Sequence, residues 1–200
     1  MNTIERAARY AGMGLDAQQL VQLSQFSQWL GEEAADGGGI GPNEVDRIGS
    51  RHVADSLLFA AGWVAPRPPP TLLDLGSGVG LPGIPLAIAW PETEVRLLDR
   101  SRRRQDLARR AVRMLEVSAT VVDADASTYG GPGADMVVSR AAGDPATVLQ
   151  WCRRLLIPGG MAVVGGSHLE RPSSVAGERV MEVPATVLDR PVWLRMMATT

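Results

Sequence analysis

The stretch Leu72–Gly83 reads LLDLGSGVGLPG. Leu72, Leu73 and Leu75 make the short apolar run of a buried strand, Thr71–Leu75. The glycines at 76, 78 and 80 then end it in a sharp turn whose missing side chains let a ligand approach the backbone. Downstream the pattern alternates: a helix near Gly83–Ala89, a strand at Glu94–Leu98, a helix at Ser101–Leu115 and a strand at Ala119–Asp123. A strand at Asp135–Ser139 follows, then a helix over Pro145–Leu156 ending at Pro158-Gly159-Gly160, and a strand at Met161–Gly165. Strands alternating with helices predict an α/β protein with a mostly parallel sheet and right-handed crossovers. Two more strands, Val180–Val187 and Val192–Met197, separated by Leu188–Pro191, are expected at an antiparallel C-terminal edge.

Upstream, Leu20, Leu23, Phe26 and Leu30 recur at helical steps between Asp16 and about Ala35, with Asp16 and Gln19 placed as an N-cap and its partner. The glycine-rich Asp36–Pro42 (DGGGIGP) breaks that helix, and a second one is expected from near Asn43 or Asp46, carrying Arg51, His52, Asp55, Ser56, Leu57 and Leu58. The stiff Pro66–Pro70 segment separates this N-terminal helical extension, residues 1–65, from the core at 71–200. Two hundred residues, 45% apolar and 21% charged, fit one globular domain.

One cysteine, Cys152, excludes an internal disulfide or cysteine-based zinc cluster, and two histidines make a histidine-rich metal site unexpected. No apolar run reaches the length of a membrane span, and MNTIERAARY lacks a signal-peptide layout, so the expectation is a cytoplasmic protein with neither metal nor membrane partner. A net charge of −2 argues against gripping nucleic acid with the whole surface; a local patch would have to serve. All 20 basic residues are Arg, which rules out any lysine-dependent chemistry.

The glycines alone fit two kinds of cofactor. Gly76, Gly78 and Gly80 have the GxGxG spacing of methyltransferases, whereas Gly78, Gly80 and Gly83 have the GxGxxG spacing of dinucleotide binders. Asp74, two residues before Gly76, can meet the ammonium of a methionine moiety and would repel a pyrophosphate. Asp99, at the end of the next strand, is spaced to accept hydrogen bonds from both ribose hydroxyls of an adenosine, a feature dehydrogenases share. Together they point to S-adenosylmethionine held around Asp74, Gly76, Ser77, Gly78, Gly80 and Asp99. The plainer alternative is a tight strand-to-helix turn with Asp74 as a capping carboxylate.

Four stretches carry a resemblance: RHVADSL at Arg51–Leu57, LDLGSGVGLPGIPLAI at Leu73–Ile88, LLDRSRRRQDLARR at Leu97–Arg110 and SRA at Ser139–Ala141. Over about Arg51–Gly160 the chain resembles the glucose-inhibited division protein B family, the small-subunit ribosomal RNA guanine-N7 methyltransferases. The Pro82-Gly83-Ile84-Pro85 continuation sets that family apart from methyltransferases in general. The resemblance implies a Rossmann-like class I S-adenosylmethionine-dependent methyltransferase fold. It also implies methyl transfer to N7 of one guanine in 16S ribosomal RNA, with that RNA or the small ribosomal subunit as partner.

Carried over by motif, Gly76 and Leu81 would contact the cofactor, Arg140 would face the pocket, and Ala126 and Ser127 would lie against the adenine, where Asp123 and Asp125 compete for its amino group. Three features depart from the family. An acidic, glycine-rich loop follows Trp29 and Leu30 in place of an asparagine-rich stretch, Gly165-Gly166 replaces a lysine-glycine pair, and the basic surface is thin. Two alternatives therefore stay open: a methyltransferase acting on a small molecule, and a non-catalytic protein that binds S-adenosylmethionine.

Guanine N7 carries an unprotonated in-plane lone pair at neutral pH, so methylation there needs positioning rather than a general base, and an Arg beside the ring would oppose the charge it gains. Arg140 is therefore expected to orient a carboxylate or a phosphate. His52, Asp55 and Ser56 fall at i, i+3 and i+4 and, with Arg51, form a candidate substrate-side cluster; a polar helix face packed on the sheet edge fits them equally. Arg100, Arg102, Arg103, Arg104, Arg109, Arg110 and Arg113 make the most basic segment. Their spacing spreads them over most of a helix circumference, some free to follow a phosphate backbone and others to pair with Asp106 or Glu116. Trp29, Trp63, Trp90, Trp151 and Trp193 are expected to pack, and Cys152 to lie in the core.

Overall fold

The computed structural model describes residues 2–35, 48–165, 172–173 and 177–199, with the backbone alone for 49–51. The expected Asp36–Pro42 loop, the helix start near Asn43 or Asp46 and the Arg51 side chain lie outside the described residues. Two N-terminal helices open the chain, each on a capping box: α1 (Thr3–Tyr10) on Asn2 and Glu5, and α2 (Ala17–Trp29) on Asp16 and Gln19. Each box satisfies amide donors that the first turn of a helix leaves open. α2 runs on into π-helical turns at Leu30–Ala34. A second π-helical segment, Ile48–Val53, leads into α3 (Ala54–Leu57) and a 3-10 turn at Leu58–Gly62.

The core alternates β1 (Thr71–Leu75), α4 (Gly83–Ala89), β2 (Glu94–Asp99), α5 (Arg102–Leu115), β3 (Ala119–Asp123), β4 (Ala134–Arg140), α6 (Pro145–Leu155) and β5 (Leu156–Gly165). β6 (Arg179–Val183), α7 (Ala185–Leu188) and β7 (Val192–Ala198) complete it. The seven strands lie in the order β3-β2-β1-β4-β5-β7-β6. β1 to β5 are parallel, and β7 and β6 form the expected antiparallel edge.

Side-chain alternation along the strands divides the core into two faces. Leu72, Leu97, Met136, Val138 and Val163 face the larger cluster, where the N-terminal helices, α4 and α5 bury Leu23, Phe26, Leu57, Phe59 and Ile84. Leu73, Leu75, Leu98, Val137 and Val164 face α6 through Val148, Leu149, Cys152 and Leu155. The N-terminal segment docks closely on β5: a Cβ on Gly62 would clash with Cγ2 of Val163. On the α6 face no helix follows β3, and buried Arg96 instead ties down the β3–β4 connection. Its guanidinium donates to the carbonyls of Pro132 and Gly133, both at 2.7 Å, and to the Tyr129 hydroxyl at 3.2 Å.

Three boundaries differ from the sequence expectation. α1 lies in a stretch to which the periodicity assigned no element. β5 begins at Leu156 rather than Met161, because the pairing with β4 jumps from Ala134↔Leu156 to Met136↔Met161 and lets the Pro158-Gly159-Gly160 turn bulge out inside the strand. β6 stops at Val183 because Pro184 cannot donate to a ladder, and Ala185–Leu188 turns helical instead.

Candidate cofactor site

The loop after β1 decides between the two glycine readings. Gly76, Gly78 and Gly80 take φ of 69°, 58° and 101°, a region that side-chain-bearing residues rarely enter, so the three glycines needing conformational freedom are those of the GxGxG spacing. Gly83 is needed for a different reason. It is the first residue of α4, and a Cβ there would lie 2.8 Å from Oδ2 of Asp74. The turn is closed by the Ser77 carbonyl, which accepts from the amides of Gly80 and Leu81 at 2.8 Å, and by the Ser77 amide, which donates to Leu98 O at 2.8 Å.

Asp74, at the end of β1, is completely buried. Its Oδ2 accepts the Gly83 amide at 2.7 Å, but its buried Oδ1 has no hydrogen-bond partner, nor has the buried Oγ of Ser77. Burial pushes the Asp74 carboxyl up from 3.8 to about 7, against the pull of the Gly83 amide and of Arg140 and with a further push from Asp99. At the end of β2, Asp99 is oriented by two amides: Gly78 N–H to Oδ2 at 2.9 Å and Ser101 N–H to Oδ1 at 2.7 Å. A carboxylate has about four acceptor positions, so each oxygen can still accept from a ligand.

A cleft of about 260 Å³ opens beside these strand ends. Of the expected cofactor residues it is lined by Gly76, Asp99, Asp125 and Ala126. Ser77, Gly78, Gly80 and Ser127 are not in its wall, nor is the completely buried Asp74. The first three shape the turn, while Ser127 donates both its amide and its hydroxyl to Asp125, at 2.9 and 2.6 Å, and with Arg100 holds that carboxyl below the usual carboxylate range. Leu81 packs into the core beneath the loop and is 5% exposed. Asp123 is drawn away by the Gln105 amide at 2.8 Å.

Arg140 does not line this cleft either. Its mostly buried guanidinium lies between the end of β4 and the N-terminal layer, donating to His52 O at 3.2 Å, lying 3.4 Å from His52 Nδ1 and 3.9 Å from Asp55 Oδ2. Ser56 is fully buried and donates to His52 O at 2.5 Å. The His52-Asp55-Ser56 cluster therefore joins the π-helical segment to β4 through Arg140, close enough for Arg140 to act on the charge of Asp74. π-helical turns are frequent where a helix must re-aim side chains at a functional site.

Sequence reasoning missed several cleft residues. Trp151 lines the cleft, as do Ala141, Ala142 and Arg104. Its position on α6 flanks the stripe Val148, Cys152 and Leu155, so periodicity marked it only as core. Ala141 has φ 55°, and Ala142 approaches Gly76 so closely that a Cβ there would meet it at 2.7 Å. Cys152 is buried as expected, its thiol pushed up to about 12 by desolvation. On the basic helix Arg109 pairs with Asp106, as the spacing allowed, at 3.1 Å. Arg102, Arg103, Arg110 and Arg113 are exposed with Arg109 half-buried on one outward face, while Arg104, on the opposite side of α5, turns to the cleft.

Among the described residues no group of three or more His, Cys, Asp or Glu is placed to hold a metal, and no helix is long and apolar enough to cross a membrane. The profile of the rRNA small subunit methyltransferase G family matches residues 19–182. The enzyme of that name from Mycolicibacterium gilvum is 34% identical over 163 residues, covering 79% of this chain and 66% of the relative. The chain thus spans just under two thirds of that relative's length. Precorrin-6y C5,15-methyltransferase from Geobacter metallireducens has a TM-score of 0.54 at 16% identity, over 72% of this chain and 88% of that one. A variant of MtNAS in complex with S-adenosylmethionine reaches 0.61 at 17% identity, over 90% of this chain and 72% of that one. The chain belongs to the rRNA small subunit methyltransferase G family and has the fold of the class I S-adenosylmethionine-dependent methyltransferases.

Proposed function

We infer that this chain binds S-adenosylmethionine across the ends of β1, β2 and β4 and methylates N7 of a guanine in 16S ribosomal RNA. The observation that carries the cofactor assignment is Asp74, whose buried Oδ1 has no hydrogen-bond partner. Such an oxygen needs a donor, and a cationic donor would also offset the burial that raises its carboxyl. The methionine ammonium has that chemistry. Asp99, preset by two amides, suits the ribose diol, and Gly76, Asp125, Ala126 and Trp151 form the walls for the adenine. Arg140, held by His52 and Asp55 and near enough to act on the charge of Asp74, would orient the carboxylate at the methionine end.

S-adenosylmethionine, when bound, supplies an electrophilic methyl group. The protein's part is then to align a nucleophile and exclude water. The lone pair of guanine N7 needs no deprotonation before attack, so this alignment is the main demand on the site. Family membership supports the RNA substrate. The test is transfer of a labelled methyl group to small ribosomal subunits lacking the N7 mark, with naked 16S RNA and a small-molecule extract in parallel. Label at a single guanine N7 is the expected result; label only in the extract would move the substrate to a small molecule, and none anywhere would leave a binding protein.

A further inference from the structure

The charge of this chain is sharply segregated. Residues 100–113 hold seven Arg and one Asp, and the other 186 residues hold thirteen Arg and twenty-one acidic groups. A net charge of −2 therefore conceals a segment at +6 against a remainder at −8.

The segment is ordered as well as basic. At 3.6 residues per turn, Arg102, Arg109 and Arg113 fall on one line along α5, and Arg103 and Arg110 on a second line beside it. The two lines share an outward face that extends about 16 Å along the axis from Arg102 to Arg113. The opposite face is held down by Leu107, Ala108, Ala111 and Leu115. Asp106 sits between the lines and pairs with Arg109 at 3.1 Å. Among the described residues, Arg102, Arg103, Arg110 and Arg113 make no ion pair and no side-chain hydrogen bond, so their guanidinium groups are open to an external anion. At the N-terminal end of the helix the basic track does not stop at the surface: Arg100 and Arg104 carry it into the wall of the cofactor cleft. Met114, 46% exposed, borders the same face and adds apolar area within reach of an unstacked base.

We propose that the outward face of α5 is the track on which the sugar-phosphate backbone of the RNA substrate lies, with Arg102, Arg103, Arg110 and Arg113 on phosphates and Arg100 and Arg104 leading the strand to the cleft. The proposal rests on 16S ribosomal RNA being the substrate. Guanidinium groups in two parallel rows match a phosphate chain, and the remainder of the chain, at −8, holds no second segment of comparable positive charge.

The experiment is filter binding of naked 16S RNA to the full chain across a salt series, together with methylation of small subunits lacking the mark. The test protein carries Arg103→Gln, Arg110→Gln and Arg113→Gln; the control carries Arg9→Gln and Arg67→Gln, exposed arginines away from α5. The triple variant should lower the slope of log affinity against log salt by about 2, at roughly 0.7 for each phosphate no longer neutralised. Its apparent KM for subunits should rise at least tenfold, with S-adenosylmethionine affinity unchanged, while the control should match the parent. Equal RNA affinity in triple variant and parent would overturn the track while leaving the RNA substrate intact. An equal loss in the control would reduce it to bulk charge. A triple variant that binds naked RNA normally yet fails on subunits would reassign the face to a ribosomal protein. No RNA binding by the parent would remove the RNA substrate itself, and the track with it.

Discussion

Replacing Asp74 by Asn should make the ligand-free protein relatively more stable as pH rises, while abolishing tight cofactor binding. The buried carboxyl is raised from 3.8 to about 7. Between those values the folded protein retains a proton that the unfolded chain has released, so stability falls with increasing pH across that window and levels off above about 7. At 1.36 kcal/mol per pH unit the accumulated penalty on the parent is about 4 kcal/mol at pH 8. Asparagine keeps an acceptor for the Gly83 amide and never ionises; its buried NH₂ adds an offset of about 1–3 kcal/mol that does not vary with pH.

Urea unfolding of both ligand-free proteins at several values between pH 4.5 and 8 measures the difference directly. The unfolding free energy of the Asn variant should gain on the parent by roughly 3–4 kcal/mol over that range. A difference that stays constant with pH would refute the reasoning, because it would mean that Asp74 is not carrying an uncompensated charge in the folded state. Calorimetry at pH 8 should then show that the more stable variant has lost its affinity for S-adenosylmethionine.

The same carboxyl makes cofactor affinity pH-dependent: binding should strengthen by about tenfold per pH unit below 7 and flatten above it, and a flat profile from 5.5 to 8 would detach Asp74 from the ammonium. Asp99→Ala should weaken S-adenosylmethionine binding by about 1–3 kcal/mol in calorimetry, and unchanged affinity would take Asp99 out of the site. Tryptophan emission should change on cofactor addition in the parent and stay constant in Trp151→Phe; a signal that survives the substitution would place the adenine elsewhere. Gly62→Ala should cost about 1–3 kcal/mol in thermal or urea unfolding, because the new methyl meets Cγ2 of Val163, and a neutral result would show that the N-terminal layer can shift on β5.

The parts of this molecule that were legible in its sequence are those where local chemistry and tertiary structure agree. The β1 loop is the best case: the alternation of Gly with other residues that suggests backbone exposure is also what positive φ at 76, 78 and 80 requires. Asp16 and Gln19 announced a helix start because the capping box is a contact within four residues. What was illegible depends on pairing across the fold. The Leu156 extension of β5 exists only because Ala134 offers a partner, and Trp151 reaches the cleft only because α6 is laid against β4 at one particular rotation. Arg140 shows the same limit in the site itself. Its motif position marked a charged group at the end of β4, but its direction is set by His52 and Asp55, 88 and 85 residues earlier in the chain.

Net charge says least about where a polyanion would dock. A total of −2 argues against gripping one with the whole surface and calls for a local patch, and the place of that patch depends on how the charge is distributed. With a Debye length of about 8 Å at physiological salt, an approaching phosphate chain responds to the groups within reach and not to the sum over the molecule. The two exposed rows on α5 lie about 16 Å end to end, two screening lengths, so a strand along them meets arginine throughout. An uneven distribution then has an orienting effect: a protein basic all round binds RNA in many poses, most of them with the cleft turned away, whereas this one concentrates seven arginines on one segment whose N-terminal end adjoins the cleft wall at Arg100 and Arg104. Making the rest of the surface more basic should therefore raise RNA affinity and lower the methylation rate per bound complex, a dissociation of binding from turnover that neutral-surface reasoning does not anticipate.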